Sequence, residues 1–280
     1  MKKSVFCAGH RLDQQGILLI YQSRVVCVAV LATLVFSKTA SAEDKNRNWT
    51  AWIAPAAIIR PTYEGSDHYR VVPGVTGNFT YRDFVSLGNQ GANMYWHYEG
   101  IRLGGGVNYK GKRKDNGTNN LATEGDSRLR GMGDVRASVG LRAFATYDLG
   151  PISFSADFIK YEGSDNKGIN INFGVFAPLK ITRSLNITPR IGATWANHDY
   201  MQTYFGVTAL QSSRSFFNTY TLGSGFKNIN FGVSTSYNIN KNWFIANDTS
   251  FNELLGGARN SPISFSKNNL VSVFMVEYKF

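Results

Sequence analysis

A single antiparallel transmembrane β-barrel is the fold this 280-residue chain predicts, and three observations predict it. The chain ends on an amphipathic strand whose last residue is aromatic. Apolar and polar residues alternate over segments longer than ordinary soluble strands. The connections between those segments come in two sizes that take turns along the chain. A barrel follows because backbone polar groups find no water in hydrocarbon, so only helices and closed sheets cross it. After residue 42 there is no apolar run of about 18 residues to supply the helical solution.

The terminal strand comes first. In Leu270 to Phe280, the side chains of Phe274, Val276, Tyr278 and Phe280 fall on one face. A last strand that closes on the first with apolar side chains toward lipid has this form, and the segment looks like the C-terminal signature of bacterial outer-membrane barrels.

The alternation is clearest over Asp134 to Leu149. Val135, Ala137, Val139, Leu141, Ala143, Ala145, Tyr147 and Leu149 take one face. Asp134, Arg136, Ser138, Gly140, Arg142, Thr146 and Asp148 take the other, with Phe144 the exception. Period two is the strand signal. It recurs over 169–179, 185–195 and 229–239, and more weakly over 101–109.

Short connections fall at Arg82-Asp83, Gly150-Pro151, Lys180 to Ser184 and Asn240 to Asn242. Long polar ones fall at Arg60 to Arg70, Lys110 to Arg130, Glu162 to Lys167, Asn197 to Phe217 and Gly256 to Asn269. Outer-membrane barrels have short periplasmic turns and longer outer loops. The alternation closes if Phe84–Gly88 rises, Ala92–Tyr98 descends and Gly100–Gly111 rises, with Asn89-Gln90-Gly91 as a tight outer turn. That gives twelve strands, with ten and fourteen as the neighbouring counts. Pro73, Pro178 and Pro189 each lack a ladder donor, so bulges or strand ends are expected there.

The N-terminus reads as an export leader. Lys2, Lys3, Arg11 and Arg24 precede a short apolar run at 25–36, and Ala40-Ser41-Ala42 follows. The expected division is a cleaved signal peptide at 1–42 and the barrel at 43–280. Both cysteines, Cys7 and Cys27, lie in the leader, so the exported part has no disulfide and no thiolate metal site. Without the leader the chain keeps 25 basic against 18 acidic residues. For an exported chain, that balance points to phosphates of lipopolysaccharide or anionic murein rather than to nucleic acid.

Two loop segments carry a family resemblance. One is Arg60-Pro-Thr-Tyr-Glu-Gly-Ser-Asp-His-Tyr-Arg-Val-Val-Pro73, with its motif at Tyr63, Glu64, Gly65, Ser66 and Asp67. The other is Thr194-Trp-Ala-Asn-His-Asp-Tyr-Met-Gln-Thr-Tyr-Phe-Gly-Val207, with its motif at Tyr200, Met201, Gln202, Thr203, Tyr204, Phe205 and Gly206. Together with Leu129 to Asp134, Leu254-Leu-Gly256, Ser261-Pro-Ile263 and Tyr278-Lys-Phe280, they resemble the MltA-interacting protein/outer membrane protein V family (MipA/OmpV). The resemblance implies a barrel in the outer membrane of a Gram-negative bacterium. It also implies a non-catalytic scaffold that links a lytic transglycosylase to a bifunctional murein synthase. The alternatives are a small porin or solute-binding barrel, and an outer-surface adhesin working through its long loops. The resemblance brings neither catalytic residues nor a cofactor.

Four further constellations stand out. Glu64, Asp67, His68, His198 and Asp199 form a metal or acid–base candidate if their loops converge; turn-forming side chains are the plainer alternative. Lys110, Lys112, Arg113 and Lys114 are expected at the outer rim against lipopolysaccharide phosphates, with outer-membrane lipids as the other contact. Arg136, Arg142 and Arg190 are expected to face the lumen with Asp134, Asp148 and Asp157, as ion pairs that fill a narrow interior. Tyr200, Met201, Tyr204 and Phe205 are expected to fold into the barrel mouth as a plug, since an aromatic loop left in water invites aggregation.

Overall fold

A computed structural model describes residues 48–117, 123–165 and 167–280. The leader at 1–42 lies outside these residues. Twelve strands close into one antiparallel barrel, each paired with its neighbours in sequence. They are β1 (Trp49–Pro61), β2 (Tyr69–Tyr81), β3 (Val85–Gly88), β4 (Gly91–Tyr98), β5 (Ile101–Lys110) and β6 (Ser138–Leu149). Then follow β7 (Ile152–Glu162), β8 (Gly168–Phe176), β9 (Leu185–Ala196), β10 (Gly225–Asn238), β11 (Trp243–Leu254) and β12 (Asn268–Lys279). Among the described residues no helix is long and apolar enough to cross a membrane.

The ring closes where β1 meets β12, from Trp52 opposite Lys279 to Ile59 opposite Ser272. The period-two pattern now has a physical reading. Val139, Leu141 and Tyr147 point outward and are exposed, while Ser138, Arg142 and Thr146 point inward and are buried. Phe144, the exception on the polar face, lies inside against Gly104. A Cβ on Gly104 would approach its ring to 2.4 Å, so a larger residue there would evict it. On β12, Phe274 and Val276 face outward, as the terminal pattern requires. The ring of Trp243 meets Tyr278 edge-on at 5.0 Å, in the position of an interfacial aromatic pair.

The interior has two characters. Ala54, Ile58, Val72, Ala246, Val271, Val273 and Met275 form an apolar inner wall on β1, β2, β11 and β12. Elsewhere inside, Arg142 pairs with Asp157 at 2.8 Å and Arg190 with Asp248 at 2.6 Å. Of the expected lumen charges, Arg142 and Asp157 are buried inside and pair with each other. Arg190 takes Asp248 instead. Arg136 and Asp134 lie before β6 starts at Ser138, so strand parity does not govern them: Arg136 is exposed and bonds Asp165, and Asp134 takes Lys114.

The β3–β4 hairpin is low. It turns at Asn89-Gln90, and β3 reaches β2 only from Asn78 to Tyr81. The upper part of β2, Tyr69 to Gly77, therefore has a strand partner on one flank only, β1. Pro73 sits there in unbroken register with Ala57. The expected bulge is absent because the missing donor falls on a strand with an unpaired flank. Pro178 lies past the end of β8, whereas Pro189 stays in register opposite Val233.

Candidate functional site at the plugged barrel mouth

The long-loop end of the barrel is filled by its own loops. Between β9 and β10 the chain forms α1 (His198–Phe205) and then α2 (Ala209–Arg214). Asn197 starts α1: its side-chain oxygen accepts from Tyr200 N at 3.1 Å, and Asp199 adds a negative charge in the first turn. Tyr200, Met201, Tyr204 and Phe205 are buried, so the expected plug is present, as a helix. Gly168 lets the helix come this close to β8. It stands at φ +133°, and a Cβ there would lie 2.6 Å from the backbone nitrogen of Tyr200. A third helix, α3 (Gly256–Arg259), closes the loop after β11, and Ala258 packs into the same apolar cluster as Tyr200 and Phe205.

Four buried or half-buried cations converge under this helix. Lys110 ends β5, bonds the hydroxyl of Tyr200, and lies 3.9 Å from the ring centre of Tyr204 and 4.2 Å from that of Tyr200. Arg113 donates to the carbonyl of Tyr204 at 2.9 Å. A cation on the last carbonyls of a helix also meets the negative end of its dipole. Burial pulls the Arg113 guanidinium below its ordinary range, and burial pushes the Tyr204 phenol well above its own. Lys227 bonds Glu64 at 2.5 Å, and Arg60 bonds Glu124 at 3.0 Å. Lys227 reaches inward through a β-bulge. Thr194 faces Asn228 while Trp195 faces Phe226, so Lys227 is the extra residue.

A second network sits above, between the loops after β1 and β5. Asp126 accepts from Thr62 at 3.0 Å, from Arg128 at 3.0 Å and from His68 Nδ1 at 3.1 Å. Burial alone would raise the Asp126 carboxyl, but the bonds from Arg128 and Thr62 outweigh it and hold the group at about 2. Arg128 also bonds Asp67 at 2.7 Å and stacks over Phe265 at 4.1 Å.

Several expected site residues land elsewhere. Glu64, Asp67, His68, His198 and Asp199 do not converge. Glu64 takes Lys227, Asp67 takes Arg128, His68 takes Asp126, and His198 Nδ1 donates to the carbonyl of Leu222. Asp199 stays exposed beside Asn197. Among the described residues, no three His, Cys, Asp or Glu side chains are grouped to hold a metal. The basic run splits in two. Lys110 and Arg113 are 7 % and 3 % exposed and face the plug, which corrects their expected place at the rim. Lys112 is exposed and Lys114 is half-buried on Asp134. The two family motifs do meet: Tyr63, Glu64 and Tyr204 line one small cavity with Arg60, Lys110, Arg113 and Glu124.

Fold and mouth together define the class: a twelve-stranded outer-membrane β-barrel whose lumen is stoppered by its own loops. The chain belongs to the family described as MltA-interacting protein MipA, which it matches over residues 53–280. It is 25 % identical over 247 residues to the outer membrane protein Omp26La of Vibrio anguillarum, covering 88 % of this chain and 84 % of that one. Among solved structures it resembles an outer membrane channel of Pseudomonas putida F1 at 13 % identity and TM-score 0.42, covering 87 % of this chain and all of that one. It also resembles Salmonella typhi OmpF at 14 % identity and TM-score 0.36, spanning 74 % of this chain but only about half (51 %) of that longer one. The protein resides in the outer membrane.

Proposed function

We propose that this barrel is a non-catalytic outer-membrane anchor that holds a lytic transglycosylase, and with it a bifunctional murein synthase, at the periplasmic end. The observation that carries this reading is the family match across nearly the whole barrel. A lumen filled by α1 and by ion pairs supports a role other than free passage of solutes. The partner surface is then the short-turn rim. Its longest connection, 177–184, exposes Ile181 between Lys180 and Arg183. A stable interface buries about 1,600 Å² in total, so several turns must contribute, or the complex is weak.

The test is a crosslinking pull-down of the tagged barrel from native envelopes, identified by mass spectrometry. Enrichment of a lytic transglycosylase above an unrelated barrel, reduced by Ile181→Asp, supports the anchor. Equal recovery from both barrels sinks it.

One observation favours a second reading, a surface binder. Within α2 Leu210 is more than half exposed, and just after it Phe216 is fully so, on the long-loop end. Lys112 and Lys114 on that end are the remaining candidates for lipopolysaccharide phosphates. Loss of cell attachment on Phe216→Ser, with the pull-down unchanged, would select this reading.

A further inference from the structure

The cavity beneath α1 is small and positively biased. Its volume is about 30 Å³, and Arg60, Tyr63, Glu64, Lys110, Arg113, Glu124 and Tyr204 supply its polar lining. A space of that size holds a single small species, since about 10–15 Å³ already admits a water-sized probe. Arg60 and Arg113 balance the two carboxylates, and Lys110 is a third basic group on the lining. Behind Glu64 stands Lys227, itself buried, which leaves the surroundings with a net positive charge. Both carboxylates are engaged, Glu64 by Lys227 and Glu124 by Arg60.

Donors remain. The hydroxyl of Tyr204 is buried and has no hydrogen-bond partner among the described residues, although its residue is only 5 % exposed. The Nε of Arg60 is in the same condition, its Nη1 being the atom on Glu124. Leaving a buried donor without an acceptor is costly, so two of them on residues that line one cavity mark a missing acceptor. The local excess of positive charge makes an anion the better acceptor than water.

We propose that this cavity is a binding site for a monatomic halide, with chloride as the physiological occupant, held by Arg60 Nε, the Tyr204 hydroxyl and the Lys110 ammonium. The site joins β1, the end of β5 and α1, so its occupant ties the plug to the barrel wall. This inference does not rest on the anchor role, because it concerns the plug and not the periplasmic rim.

Bromide serves as the probe. The refolded full-length barrel is melted at constant ionic strength while gluconate is replaced by bromide. The expected result is a saturable rise in melting temperature of several degrees, as a ligand that binds only the folded state requires. Tyr204→Phe, which keeps the ring and removes the donor, is expected to abolish the saturable part. Arg60→Gln serves the same purpose should Tyr204→Phe fail to fold. Crystals grown in bromide are expected to show an anomalous peak between Arg60 and Tyr204. A melting temperature that does not respond to bromide, a response equally large in the folded variants, or a cavity without an anomalous peak would each overturn the halide site and leave water as the occupant.

Discussion

Arg113 holds the last turn of the plug helix: its guanidinium donates to the carbonyl of Tyr204 at 2.9 Å and more weakly to that of Thr203 at 3.4 Å. Arg113 and Tyr204 are both buried, so no water replaces their bond when it is lost. Arg113→Ala is therefore expected to destabilise the plug by roughly 1.5–3 kcal/mol, the range for hydrogen bonds to charged groups. Limited proteolysis checks this, with cleavage appearing within 197–224 while the strands stay protected. An unchanged fragment pattern would show that the apolar packing of Tyr200 and Phe205 holds the plug alone.

Arg142 and Asp157 make a buried pair inside the barrel, 2.8 Å apart. Removing one partner strands a charge. Arg142→Ala is expected to cost about 3–5 kcal/mol in denaturant unfolding, and Arg142→Ala with Asp157→Ala clearly less than the sum of the single changes. Additive losses would mean that the two charges do not stabilise each other.

Acid should loosen the outer loops before the barrel. Asp126 lies below the ordinary carboxylate range at about 2, held there by Arg128 and Thr62 against the cost of burial. A depressed carboxylate contributes its full stability above the unfolded value of about 3.9, and the contribution is lost as pH falls toward the folded value. Near-ultraviolet circular dichroism between pH 5 and pH 2 is expected to show loop aromatics losing order in that window. Asp126→Asn should be weaker at pH 7 and flat across it.

The lipid face sets a depth-dependent penalty. Leu141→Arg, on the exposed face of β6, is expected to cost about 2–4 kcal/mol if it sits at mid-bilayer, and Leu149→Arg, at the strand end, about 0–1. Urea unfolding from lipid vesicles measures both. Equal costs would contradict the membrane placement of β6.

The barrel was legible in the sequence because one face of every strand meets lipid, and lipid tolerates no lapse in the alternation. Even the short β3–β4 hairpin follows, since the loop sizes demand a tight turn near Asn89. Lys110 was misplaced despite an available signal. It shares parity with the inward Asn108, opposite the outward Val107 and Tyr109, and strand parity outranks membership of a charge run. Lys227 offers no such signal, because the bulge that turns it inward depends on pairing with Thr194 and Trp195. The five metal candidates failed for a related reason. Glu64 is held by Lys227 and Asp67 by Arg128, cations from distant segments that become neighbours only on folding, while Asp199 lies exposed beside Asn197. The sequence predicts a plug at Tyr200 to Phe205 without giving its form, although Asn197 followed by Asp199 is a helix-start signal.

The low β3–β4 hairpin has a consequence for the bilayer itself. At roughly 3.3 Å per residue, the four residues of β3 rise only about 13 Å, against an apolar band of about 25 Å on barrels of this kind. Acyl chains along that sector border a half-height wall, with Val71 and Val75 of β2 exposed beside it. The hydrophobic mismatch is confined to one side, so the surrounding membrane must thin there or the barrel must lean. Either response gives the protein a preferred heading in the plane of the membrane, with one flank that draws short-chain or disordered lipid and neighbours of matching height.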